Sequence, residues 1–196
     1  MADRPRLVIA SGNAGKVHEY RDLLSNSGVE LIAFDGEVDE AGETYSENAR
    51  LKAEEAAARS GLPSLGDDSG IELDALGGFP GVRSARLAPT QPERTAELLR
   101  RLEGHPRPWA ARFVCVIGLA TPGGETRLFE GECSGELLPE ARGQNGFGYD
   151  PVFLVPGTGK TFGEMPAEEK RRYSHRAAAV RALLESGALA RISGRN

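Results

Sequence analysis

The sequence predicts an α/β domain with a mixed β-sheet. Two observations carry that expectation. In the N-terminal half, strand-length apolar runs alternate with segments of helical period, which calls for parallel crossovers. In the C-terminal half, two such runs meet at a Pro-Gly-Gly turn, which calls for antiparallel neighbours. No internal repeat or low-complexity linker marks a boundary in the 196 residues, enough for one substantial domain or two modest lobes sharing a core.

Taken in order, RLVIA (6–10) reads as the opening strand. SGNAGK (11–16) turns the chain into VHEYRDLLSNSG, a helix with Val17, Tyr20, Leu23 and Leu24 on one broad face. VELIAF (29–34) is a second strand and the acidic EVDEAGETY (37–45) a loop. A second helix covers SENARLKAEEAAARSG, with Ser46 as its cap and Gly61 and Pro63 ending it. PSLGDDSG and then IELDALGG predict a short strand, a tight turn and a hairpin-like return. TQPERTAELLRRLEG is a third helix with Leu98, Leu99 and Leu102 on its apolar side. ARFVCVIGLA (111–120) and ETRLFEGECSGEL (125–137) are strands, YDPVFLVP (149–156) is extended, and SHRAAAVRALLESGAL (174–189) is the last helix, capped by Ser174.

The apolar fraction of 39% supports a folded core. With 24 basic and 29 acidic residues the formal charge is −5, so there is no broad electrostatic reason to bind nucleic acid or an anionic membrane. A nucleotide can still be held where a few cations converge. Cys115 and Cys133 sit in apolar, strand-like runs and read as buried thiols rather than a disulfide. With no secretory pattern and no run able to span a bilayer, a cytoplasmic protein is expected.

Several segments could carry chemistry. In SGNAGK, Ser11 and Asn13 offer polar contacts, Gly12 and Gly15 permit close backbone approach, and Lys16 puts a cation near a helix N-terminus. That combination suits phosphate, although a plain helix-entry loop reads the same way. It is not a Walker A loop, because Gly12 is too close to Gly15 and Val17 comes after Lys16. GTGKT (157–161) lacks the required first glycine and reads as an ordinary turn. Glu47 near a helix start is either a structural acid or a ligand, and Asn48 and Lys52 could face the same pocket. Asp67 and Asp68, beside a Ser-Gly turn, suit either an exposed loop or a divalent cation such as Mg²⁺. In NGFGYDPVF, Phe147 and Tyr149 could stack on a base and Asp150 could bond to its edge, or the segment is a strand entry with core aromatics. Lys170, His175 and Arg176 in EEKRRYSHR could meet substrate oxygens or form a charged helix entry. Arg171 and Arg172 read as solvent-facing.

Together SGNAGK, SENARLKA, LGDDSGIELDALGGFPGVRSAR, GQNGFGYDPVF and EEKRRYSHR, in that order over nearly the whole chain, resemble the inosine/xanthosine triphosphate pyrophosphatase family. The resemblance implies one two-lobed domain over 1–196: an elongated mixed β-sheet with flanking helices and a central cleft, commonly a homodimer. It implies Mg²⁺-dependent hydrolysis of dITP, ITP and XTP to monophosphate and pyrophosphate. Asp68 would be the proton acceptor, supported by Asp67, with Glu47 and Asp68 near the metal ion. Lys16 would stabilise charge within the phosphate-binding loop Ser11, Gly12, Asn13, Ala14, Gly15 and Lys16. Ser69, Phe147, Gly148, Tyr149, Asp150, Lys170, His175 and Arg176 would complete the substrate pocket. A nucleotide-binding regulator without hydrolytic activity, or a dUTP-cleansing enzyme, would be the alternatives.

Overall fold

Apolar residues at successive rather than alternate positions define the first strand. β1 (Arg6–Ala10) buries everything from Leu7 to Ala10, as a strand covered on both faces does. The structure, a computed structural model, describes residues 4–36 and 38–192. In it β1 lies parallel to both β2 (Glu30–Ala33) and β3 (Ser64–Leu73). The six-stranded sheet runs in the order β2-β1-β3-β4-β5-β6, with β4 (Trp109–Ala120), β5 (Arg127–Leu137) and the short β6 (Phe153–Leu154). β6 is antiparallel to β5, so the sheet is mixed, as the sequence predicts.

The helices are α1 (Ala14–Leu23), α2 (Tyr45–Ser60), α3 (Gln91–Leu102), α4 (Ala167–Lys170), α5 (His175–Glu185) and α6 (Ala188–Ile192). The chain divides into two compact units. The first comprises Met1–Asp68, Cys115–Gly131 and Arg176–Asn196; the second comprises Ser69–Val114 and Glu132–His175. Leu7, Ile9, Leu65, Ile117 and Leu183 lie in the core of the first, and Leu98, Leu102, Phe113, Phe153 and Phe162 in that of the second. No described helix is long and apolar enough to cross a membrane. Cys115 and Cys133 are buried free thiols.

Helix α2 positions part of the site, and its sequence explains how. Its buried face is largely alanine (Ala49, Ala53, Ala56 and Ala57), so its backbone can approach the sheet closely. Glycines meet it there: a Cβ on Gly66 of β3 would lie 2.3 Å from the Ala49 carbonyl oxygen, and one on Gly118 of β4 would lie 2.7 Å from it.

The structure corrects four local expectations. The cap of α2 is Thr44, not Ser46: the Thr44 side chain accepts from the Glu47 N–H and Glu47 reaches back, a reciprocal capping box. Asp67 and Asp68 are not beside a turn, because β3 runs unbroken from Ser64 to Leu73 through the Ser-Gly pair. Residues 149–156 are not extended throughout, since a 3-10 turn, Asp150–Val152, precedes β6. The last helix is divided, α5 ending before Gly187, whose φ of 68° breaks the helical path. The 37–45 loop precedes α2 as expected through residues 38–44; Glu37 lies outside the described residues.

Candidate active site

In a parallel sheet, ligands collect beyond the carboxyl ends of the strands. β1 ends at Ala10, and its pairing with β3 stops at Ala10 opposite Gly66. That end of the pair carries Ser11–Lys16, directly after β1, and Asp67 with Asp68 on β3. In the first loop the Asn13 side chain caps α1, accepting from the Lys16 N–H at 3.2 Å, and Ser11 Oγ accepts from the Asn13 N–H at 3.2 Å. Gly12, Asn13 and Ala14 are exposed and Gly15 half-buried. A Cβ on Gly12 would meet no protein atom, so packing does not demand the glycine.

Adjacent residues of a strand face opposite sides, and the two aspartates accordingly have different partners. Asp67, 1% exposed, bonds to residues of α1, β4 and α5. Lys16 Nζ pairs with Oδ1; the Tyr20 hydroxyl donates to Oδ2 at 2.7 Å, Arg176 Nε at 2.9 Å and the Cys115 thiol at 3.3 Å. Arg176, 1% exposed, also pairs with Glu19. Burial alone would raise the Asp67 carboxyl, but Lys16 and Arg176 hold it well below its ordinary range. Burial, with Asp67 beside it, pushes the Tyr20 phenol well up, so its hydroxyl is a donor.

Asp68, 4% exposed, faces α2. Asn48 Nδ2 donates to its Oδ2 at 3.0 Å, and Lys52 Nζ lies 3.5 Å from Oδ1. Burial raises this carboxyl, and the nearby Lys52 ammonium only partly offsets it. Lys52 also donates to the Asp67 carbonyl oxygen at 2.7 Å and pairs with Glu40 from the loop before α2. Asn48 holds the same loop, its Oδ1 accepting from the Gly42 N–H at 2.8 Å. Glu47 is exposed in the first turn of α2, and its Oε2 accepts from the N–H groups of Glu43 and Thr44 at 2.8 and 3.0 Å. Those two backbone bonds lower its carboxyl.

Three oxygens thus converge on one cationic centre, Lys52 Nζ: a Glu40 carboxylate, an Asp68 carboxylate and a main-chain carbonyl. The Lys52 ammonium occupies this centre; the Glu40 and Asp68 carboxylates beside it are hard oxygen donors of the kind a divalent cation uses together with water and phosphate. Among the described residues no three His, Cys, Asp or Glu side chains form a closed metal cluster. A Mg²⁺ site completed by substrate needs only one or two carboxylates.

The second unit holds the other group of candidates. Asp150 Oδ2 accepts from the Phe147 N–H at 2.8 Å and from Lys170 Nζ at 2.6 Å, and all three side chains are buried or half-buried. The Lys170 ammonium lies 5.2 Å from the Phe147 ring centroid. Gly146, at φ 73°, makes the turn possible, since a Cβ there would lie 2.0 Å from Asp150 Oδ2. Gly148 is half-buried. Tyr149 is buried, its hydroxyl donating to the Ser84 carbonyl at 3.1 Å. His175 stacks on Phe113 with centroids 4.6 Å apart, and Ser69 is half-buried on β3. GTGKT is a turn, as expected: the Val155 N–H donates to the Lys160 carbonyl at 2.9 Å, and Lys160 pairs with Glu169.

Sequence reasoning missed Glu40, Glu19 and the polar role of Tyr20. Glu40 sits among other acids in a loop and reads as solvated. Tyr20 reads as one more apolar residue of a helix face; the one available signal was that a buried tyrosine hydroxyl requires a partner.

The sequence profile described as the Ham1 family matches residues 7–186. A dITP/XTP pyrophosphatase of Gloeobacter violaceus is 51% identical over 180 residues, covering 91% of this chain and 92% of its own. One from Thermus thermophilus is 49% identical, covering 92% and 91%. A HAM1 protein structure from Coxiella burnetii superposes with a TM-score of 0.85 at 37% identity, over 94% of this chain and 98% of that one. The Ham1 protein structure of Staphylococcus aureus gives 0.81 at 37% identity, covering 97% and 100%.

Proposed function

The chain belongs to the Ham1 family, and on that premise we propose that it hydrolyses ITP, dITP and XTP to the nucleoside monophosphate and pyrophosphate with Mg²⁺, removing damaged purines from the nucleotide pool. The observation that carries this reading is Asp68: a buried carboxylate at the carboxyl end of a parallel strand pair, sharing a cation-binding set of oxygens. A carboxyl raised by burial is a better proton acceptor than an ordinary one, because its affinity for a proton is nearer the working pH.

In the reaction proposed, Asp68 takes a proton from a water attacking the α-phosphorus, and the bond to the β-phosphate breaks. Asn48 fixes the acceptor carboxylate through Oδ2. Lys16 and the N–H groups of Gly12, Ala14 and Gly15 meet the phosphates, as helix-entry loops do. Glu40 and Asp68 would hold Mg²⁺; Glu47, the ligand expected from the sequence, has one carboxylate oxygen committed to the helix cap. Bound there, the ion would offset the negative charge gathering on the phosphate oxygens.

The base end is assigned to residues 147–150 with Lys170 and His175. The Asp150–Lys170 pair fixes the Phe147 backbone, which favours reading a purine's 6-oxo edge by hydrogen bonds over stacking alone, since most purines stack alike. We further propose a cytoplasmic homodimer, supported by the family resemblance.

Incubation with ITP, XTP, dITP, ATP, GTP and dUTP, with direct detection of products, tests the reading. Monophosphate and pyrophosphate from the first three, well ahead of the others, are expected. Intact triphosphate throughout, or a diphosphate with inorganic phosphate, would overturn it.

A further inference from the structure

Both oxygens of Asp67 are held by donors from other elements. Oδ2 receives the Tyr20 hydroxyl at 2.7 Å, Arg176 Nε at 2.9 Å and the Cys115 thiol at 3.3 Å, whereas Oδ1 receives the Lys16 ammonium. A carboxylate held by several donors on one oxygen resists rotation about its Cβ–Cγ bond, so its other oxygen keeps a fixed aim. Lys16 is the residue that aim serves. Its side chain is 14% exposed and lies just beyond β1, while Asp67 is part of the rigid strand beside it.

Tyr20 contributes to this clamp from inside the core. Its ring is fully buried in one cluster with Leu7, Leu24 and Ile117, and the Arg176 guanidinium lies 5.8 Å from the ring centroid. An apolar side chain would fill the same space, so core packing alone does not call for the hydroxyl.

We propose that Tyr20 is a positioning residue for the reaction: its hydroxyl, with the Cys115 thiol, locks the Asp67 carboxylate so that Lys16 is presented to the substrate phosphates in one orientation. This rests on the assignment of Lys16 to those phosphates.

The test uses the full chain and two independent readouts. Tyr20→Phe keeps the ring and removes one donor to a charged group, and should lower kcat/KM for ITP by about tenfold. In a Lys16→Ala background the same change should cost nothing further, because the residue it acts through is gone. The second readout does not need turnover. The rate at which acetic anhydride acetylates Lys16, monitored by peptide mass spectrometry, should rise several-fold in Tyr20→Phe. Cys115→Ala should show the same two signatures more weakly, and serves if Tyr20→Phe folds poorly.

An equal loss of kcat/KM in both backgrounds, or an unchanged rate of Lys16 acetylation, would overturn the proposal. If the unaltered protein leaves ITP intact, the functional reading fails, while the acetylation rate still decides whether Tyr20 holds Lys16 in place.

Discussion

Asp67 enters the folded protein charged, with Lys16 and Arg176 against it and almost no water. Asp67→Asn would take the counter-charge from half-buried Lys16 and leave buried Arg176 with its Glu19 partner, at a cost of about 3–5 kcal/mol. Because the folded carboxyl lies well below its ordinary value of 3.8, its contribution is complete above that value and disappears as pH falls through the folded one. Urea unfolding in metal-free buffer should therefore show a gap between the two proteins that is widest near neutrality and narrows in acid. Asp68 has the opposite sign. Its folded carboxyl is raised, so its charge opposes folding at neutral pH. Asp68→Asn removes that cost but also one counter-charge of buried Lys52, which keeps Glu40. It should still fold while losing roughly 100-fold or more in kcat; a normal rate in a folded Asp68→Asn protein would remove it as the proton acceptor. The sequence pointed to both residues as candidates, but it did not reveal their placement. Two aspartates before Ser-Gly read as a turn, because propensity does not show that counter-ions wait on both faces of a strand.

At the scale of elements, the close seat of α2 on the sheet sets where Asn48 and Lys52 reach. Gly66→Ala would force a methyl to within 2.3 Å of the Ala49 carbonyl, so the helix must shift. A stability loss of about 1–3 kcal/mol, with a parallel loss of turnover, is expected. Gly12→Ala makes the contrast: its new methyl meets nothing in the protein, so unfolding should change by less than about 0.5 kcal/mol while the KM for triphosphate rises. Equal KM values would remove Gly12 from the phosphate loop. The helices themselves were largely readable. Gly61 ends α2 in the left-handed conformation as expected, and Leu98 and Leu102 are buried on α3. The cap of α2 was misplaced by two residues because Thr44 and Ser46 are both good caps; the partner that decides is Glu47, three residues after Thr44.

For the whole molecule, the mixed sheet was readable from the order of helical and strand-like runs. Two lobes were expected from the family resemblance alone, and the runs themselves did not show where the chain passes from one unit to the other. β3, β4 and β5 each contribute residues to both units, so no linker marks the division. Likewise the residues of the first unit's ionic cluster come from positions 16 to 176, and only folding brings Lys16 and Arg176 onto Asp67 and Glu40 onto Lys52. Light scattering on the purified protein should give twice the chain mass for the proposed homodimer; a single-chain mass at working concentration would rule it out. The most direct test of the chemistry is hydrolysis of ITP in ¹⁸O-labelled water with Mg²⁺, with mass spectrometry of both products. Water attacking the α-phosphorus beside Asp68 puts the label in the inosine monophosphate and none in the pyrophosphate. Label in the pyrophosphate would mean attack at the β-phosphorus, and would contradict the role given to this carboxylate.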